Sequence, residues 1–153
     1  FPETHRARAI QRLLASPLGP LVTRFSTEVR FRLSLRELFG PSTQPTDGEL
    51  RQLYQLVERA DGKRALADLI AYMEERKANR ERWVGAFVKT KVPMTVINGS
   101  LDPVSGAHMI TRLLELRPAT PVVRLDVGHF PQLEAPEVVL DAFLQFIDAV
   151  DAK

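Results

Sequence analysis

The chain has 153 residues, 44% hydrophobic and 26% charged, with 21 Lys and Arg against 19 Asp and Glu and a formal net charge of +2. That is the composition of one soluble globular unit: no apolar run approaches the roughly 20 residues of a membrane helix, and the basic residues are interspersed with acidic ones, which disfavours nucleic acid as a partner. With no cysteine, thiol catalysis, disulfides and thiolate metal sites fall together; His5, His108 and His129 lack metal-ligand spacing, and with no signal peptide at the start the default compartment is the cytoplasm.

Phe1-Pro2-Glu3-Thr4-His5-Arg6 has no initiator Met and reads like the exit from a strand that ended just upstream. Thr4 is placed to cap a helix through about Ala15, and Pro17 and Pro20 then punctuate the chain. Leu21, Val22, Phe25, Val29, Phe31 and Leu33 read as one apolar helix, after which Ser34 is expected to cap a short helix over 35–39, stopped by Gly40-Pro41. Thr46-Asp47-Gly48-Glu49 has the form of a capping box. Leu50, Leu53, Tyr54, Leu56 and Val57 give the helix behind it an apolar face, and Asp61-Gly62 is expected to end it. Further helices are expected over 64–77, with Leu66, Leu69, Ile70 and Met73, and over 79–88, with Trp83 and Phe87 read as core.

From residue 91 the pattern changes. Residues 92–97 are a short β-branched run ending in Asn98-Gly99-Ser100-Leu101-Asp102-Pro103, where Gly and Pro bracket a carboxylate. A helix is expected over 105–117, from Met109, Ile110, Leu113, Leu114 and Leu116, then a strand over 121–125. That strand runs into Gly128-His129-Phe130-Pro131-Gln132-Leu133-Glu134-Ala135-Pro136, and a final helix covers 136–150. Two adjacent parallel strands would thus deliver Asp102 and His129 to the same sheet edge, where ligands meet open α/β sheets. A carboxylate there can hold the imidazole in one tautomer and stabilise its protonated form, the supporting half of a nucleophile–His–acid triad. Two parallel strands cannot make an independent sheet, so the flanking strands are expected from an upstream segment, a second chain or a swapped copy.

These motifs, in this order, resemble the C-terminal half of an α/β-hydrolase of the epoxide hydrolase and haloalkane dehalogenase group. Arg82-Trp83-Val84-Gly85-Ala86, Leu101-Asp102-Pro103-Val104 and Pro131-Gln132-Leu133-Glu134, with the opening hexapeptide, are most similar to mesoderm-specific transcript-like hydrolases. The resemblance implies an α/β fold in which residues 1–90 are an inserted helical cap and 91–153 the C-terminal βαβα part of the core, the N-terminal half of the sheet not being in this chain. It implies Asp102 as triad acid and His129 as base, activating water against an ester formed on a nucleophile elsewhere. Tyr72 lies about where a cap tyrosine protonates an epoxide oxygen; packing beside Leu69 and Met73 is an equally open reading, and Tyr54 has no matching motif. The implied substrate is small and hydrophobic, with no metal or organic cofactor. No Gly-x-(Ser/Asp/Cys)-x-Gly elbow occurs, so the isolated chain is expected to be inactive, and haloalkane dehalogenase, esterase and non-catalytic binding module remain alternatives.

Overall fold

The structure, a computed structural model, describes residues 1, 3–4, 9–24 and 27–152. Its elements are helices α1 (Ala9–Leu14), α2 (Gly19–Arg24), α3 (Glu28–Arg36) and α4 (Asp47–Glu58), a 3-10 turn Arg59–Arg64, then α5 (Ala65–Ala78) and α6 (Arg80–Lys89). After these come strand β1 (Val96–Gly99), α7 (Ala107–Leu116), β2 (Val122–Leu125), the single-turn α8 (Pro131–Glu134) and α9 (Pro136–Asp151). The expectations for Pro2, His5, Arg6, Phe25 and the first residues of the opening helix lie outside the described residues.

The helical region packs α1 on α2 and α5, and α3 on α4. The expected capping box is formed: Thr46 Oγ1 accepts from the Glu49 N–H at 3.2 Å while Glu49 Oε2 accepts from the Thr46 N–H at 2.7 Å. From that start α4 buries Leu50 and Tyr54, four residues apart and hence on one face, with the Tyr54 ring 5.5 Å from that of Phe31. Two local expectations need correction. Ser34 caps nothing: it lies inside α3, whose N-cap is Thr27, accepting from the Arg30 N–H. Thr27 offers an equivalent cap seven residues earlier with Glu28 in the first turn to favour the helix dipole, so the apolar stretch expected as one helix divides between α2 and α3. The Asp61-Gly62 stop is also late, since α4 ends at Glu58 and a 3-10 turn carries the chain onward.

In the C-terminal region β1 and β2 pair in parallel, Val96 opposite Val122 and Gly99 opposite Leu125. The expected strand from residue 92 begins four residues late, because Thr95 would pair with Pro121, which has no N–H, and 117–120 opposite it form a turn. Helix α7 covers β1 with Ile110 and Leu113, both buried. Glu3 ties the opening segment to both regions, accepting from Arg80 of α6 at 2.6 Å and Arg112 of α7 at 3.2 Å. Trp83 is 41% exposed and α6 has no buried residue, so the reading of Trp83 and Phe87 as core is corrected. They line a shallow cavity of about 220 Å³ with Phe1, Arg76, Arg80 and Val84.

Candidate active site

The acid arrives on the turn that closes β1. Buried Asn98 donates through Nδ2 to the Ser105 carbonyl at 3.0 Å, and the Leu101 N–H donates to the Val127 carbonyl at 3.0 Å, so the acidic turn is fastened to its own strand and to the loop after β2. Within that turn Asp102 is 7% exposed. Its Oδ1 accepts from the Val104 N–H at 2.7 Å, an Asx-turn, and its Oδ2 accepts from Ser105 Oγ at 2.7 Å and from His129 Nδ1 at 2.8 Å.

The last of these bonds fixes the histidine's protonation. A carboxylate can only accept, so Nδ1 carries the proton and Nε2 is left with its lone pair, the form a general base requires. Burial pushes the Asp102 pKa up, but the bonds from His129, Ser105 and the Val104 N–H outweigh it and leave the group below its ordinary value. The bond to Asp102 raises the His129 pKa against the opposing effect of burial, and the charges of Asp102 and Glu134 raise it further.

The backbone under His129 is held as firmly as its ring. The His129 N–H donates to the Leu38 carbonyl at 2.8 Å, bringing the histidine loop against the connector between α3 and α4. The approach is so close that a Cβ on Gly128 would run into the Leu38 carbonyl and the Gly40 nitrogen, so only glycine fits before the histidine. The Phe130 ring stands edge-on to the imidazole at 5.0 Å and lies tilted against Phe39, also at 5.0 Å.

His129 lines a cleft of about 130 Å³ together with Tyr72, Arg76, Ser105 and Met109. Helix α5 therefore presents Tyr72 to the same cleft; its side chain is 48% exposed, and its hydroxyl accepts from Arg76 Nη1 at 3.3 Å. Tyr54 lies elsewhere, buried, its hydroxyl donating to Glu58 at 2.7 Å and accepting from Lys63 at 2.5 Å. A larger cavity of about 560 Å³, between the 39–45 connector, α4 and α8, includes neither Asp102 nor His129. Size alone would favour that cavity; the hydrogen-bonded pair of titratable groups makes the smaller cleft, which His129 lines, the candidate site.

Sequence reasoning brought Asp102, His129 and Tyr72 to attention but passed over three neighbours. Ser105 was read only as the start of a helix, though a hydroxyl three residues after an Asp in a turn is within reach of its carboxylate. Arg76, one turn beyond Tyr72, shares its helix face. Glu134 was noted in its motif without a task.

The parallel strand–helix–strand unit, with Asp102 and His129 after its two strands, is consistent with part of an α/β-hydrolase fold. The whole chain aligns with 52% of the crystal structure of a Burkholderia cenocepacia protein provisionally described as an aryl esterase, with a TM-score of 0.64 and 22% identity. In sequence it is 36% identical, over 97% of its length, to the mesoderm-specific transcript protein of Mus musculus, and likewise 36% identical to the Homo sapiens homologue. It is 35% identical over 92% of its length to LipZ of Mycobacterium tuberculosis, provisionally named a hydrolase. The chain spans about half the length of these relatives, 46% and 49% respectively. No family model matches it.

Proposed function

We propose that this chain carries the base, its orienting acid and the helical cap of a hydrolase that works through a covalent intermediate. The hydrogen bond from His129 Nδ1 to Asp102 Oδ2 at 2.8 Å is the observation that carries the reading, because it leaves Nε2 free to take a proton. A nucleophile outside these residues, contributed by the N-terminal half of the core, opens the substrate and becomes esterified. His129 Nε2 then takes a proton from water and the hydroxide adds to the ester carbonyl. On an Asp ester the C–O bond to the product breaks, the imidazolium protonates the departing alkoxide to an alcohol and Asp is left as carboxylate, whereas on a Ser ester the Ser oxygen departs, takes that proton and leaves the product as an acid. Tyr72, in the same cleft, is placed to give a proton to the departing oxygen, as an epoxide would need. The cap over this cleft suits a small hydrophobic substrate shielded from bulk water.

A second reading within the same chemistry is ester cleavage by a Ser nucleophile, in place of epoxide or haloalkane opening by an Asp; the structural neighbour is provisionally described as an aryl esterase. One experiment separates the readings. In the complete protein, His129→Ala is expected to accumulate a covalent adduct with an aryl epoxide, read as an increase in intact mass, and to lose both labelling and turnover with an aryl ester, because a Ser hydroxyl needs the same base to attack. An adduct mapped to Asp supports the epoxide or haloalkane reading; aryl-ester turnover by the parent with neither labelling nor turnover in the variant supports the esterase reading. Turnover unchanged from the parent removes His129 from the mechanism, and a parent protein that neither turns over nor is labelled supports a non-catalytic binding module.

A further inference from the structure

Glu134 lies on α8, five residues after the histidine, and its carboxylate gathers donors from two distant segments. Oε2 accepts from the Gly40 N–H at 2.7 Å, from Thr43 Oγ1 at 2.5 Å and from the Gly128 N–H at 2.7 Å, and Oε1 accepts from the Phe130 N–H at 3.0 Å. Two of these donors flank His129 in sequence; the other two belong to the connector between α3 and α4, more than 90 residues away. The same connector returns the tie by accepting the His129 N–H on the Leu38 carbonyl. We infer that Glu134 is a positioning residue: it ties the Gly128 and Phe130 amides, before and after His129 in the chain, to the helical region, so that the imidazole meets Asp102 at one fixed height.

The two carboxylates divide the task. Asp102 fixes the rotation and tautomer of the ring, and Glu134 fixes the backbone on which the ring is carried. A neutral, hydrogen-bonding side chain could not serve equally, because four donors and no acceptors converge on this point and an amide would turn its own N–H₂ toward one of them. Burial works against the ionised form, yet the bonds from Thr43, Gly128, Gly40 and Phe130 prevail and hold Glu134 below the ordinary carboxylate range. The titratable and charged groups around the histidine are then Asp102 from the β1–α7 turn, Glu134 from α8, and Tyr72 and Arg76 from α5 across the cleft, with Glu49 of α4 bordering the cavity behind Glu134. The inference rests on the hydrolase reading only for its kinetic consequence.

The test uses Glu134→Ala and the isosteric Glu134→Gln in the complete protein, with two readouts: the downfield NMR resonance of the His129 Nδ1 proton, which reports its bond to Asp102, and kcat and KM on an aryl ester or aryl epoxide. In Glu134→Ala, kcat is expected to fall by ~10²-fold, the order that about 1 Å of misplacement costs, with KM little changed. Glu134→Gln is expected to recover part of kcat, and in both variants the Nδ1 proton resonance is expected to move upfield as the bond to Asp102 loosens. Folded variants with the parent's Nδ1 resonance and kcat overturn the inference, even if His129 titrates at lower pH, since the lost Glu134 charge alone does that. If Glu134→Ala does not fold, Glu134→Gln decides. If the parent turns over neither substrate, it is the hydrolase reading that fails, and the Nδ1 resonance still decides the role of Glu134.

Discussion

Asp102 acts on His129 through one short bond, and that bond makes a prediction about pH. The His129 pKa is raised by its bond to Asp102, so the neutral base is lost as pH falls through a value above the ordinary 6.5 or so. Activity should therefore show an acidic limb above that pH. The same shift makes the His129 contribution to stability complete below the ordinary imidazole value and lost as pH rises through the raised one, while the Asp102 contribution, from a lowered pKa, is present above the ordinary carboxylate value and lost as pH falls through the lowered one. Asp102→Asn removes the charge and permits the wrong tautomer. It is expected to move the His129 titration, followed by NMR, to lower pH and to reduce turnover on the order of 10⁴-fold; an unmoved titration would show that Asp102 does not govern the imidazole. At this scale the sequence was informative because Asp102 and His129 each terminate a short apolar run, and two parallel strands must deliver their ends to one edge. Glu134 was not legible in the same way. Its task depends on Gly40 and Thr43, whose proximity to α8 is a fact of tertiary packing that no local pattern encodes.

Helix α4 illustrates what an element owes to its first turn. The reciprocal bonds of Thr46 and Glu49 satisfy two backbone N–H groups and the Thr46 hydroxyl at the helix start. Behind them Leu50 and Tyr54 are buried, and the 39–45 connector that Glu134 grips leads directly into this cap. Thr46→Ala is expected to cost about 1 kcal/mol of stability, read as a lower denaturant midpoint at unchanged slope. An unaltered midpoint would mean that packing alone sets the start of α4. The cap was legible because its signal lies within four residues. Ser34 misled for the complementary reason: Ser caps a helix only where no helix already passes through it, and Thr27 had started one. The late start of β1 likewise reflects its partner, since a strand extends only as far as the neighbour can pair, and Pro121 ends that neighbour.

As a whole, the molecule is held between its helical and C-terminal regions by contacts distant in sequence, Glu3 on Arg80 and Arg112 at one place and Glu134 on Gly40 and Thr43 at another. Yet among the described residues the sheet has two strands, fewer than a parallel sheet ordinarily needs. Helix α9 also leaves Leu140, Phe143 and Leu144 about half exposed along one stripe, a pattern expected of a surface that meets further protein. Val96 and Ser100 donate toward β2, to the carbonyls of Pro121 and Leu125. By the alternation of a strand, the N–H of Ile97 then faces the opposite edge. If the additional half found in the relatives supplies a strand there, the Ile97 amide has a partner in the longer protein and water in the 153-residue chain. Hydrogen exchange at that amide should then be slower in the longer protein by at least ~10³-fold, the factor corresponding to about 4 kcal/mol of opening free energy in a core strand. The Asn98 amide, turned toward β2, should change less. Equal exchange of Ile97 in both would mean that this edge is not where the rest of the sheet joins, and that the source of the nucleophile must be sought on another face.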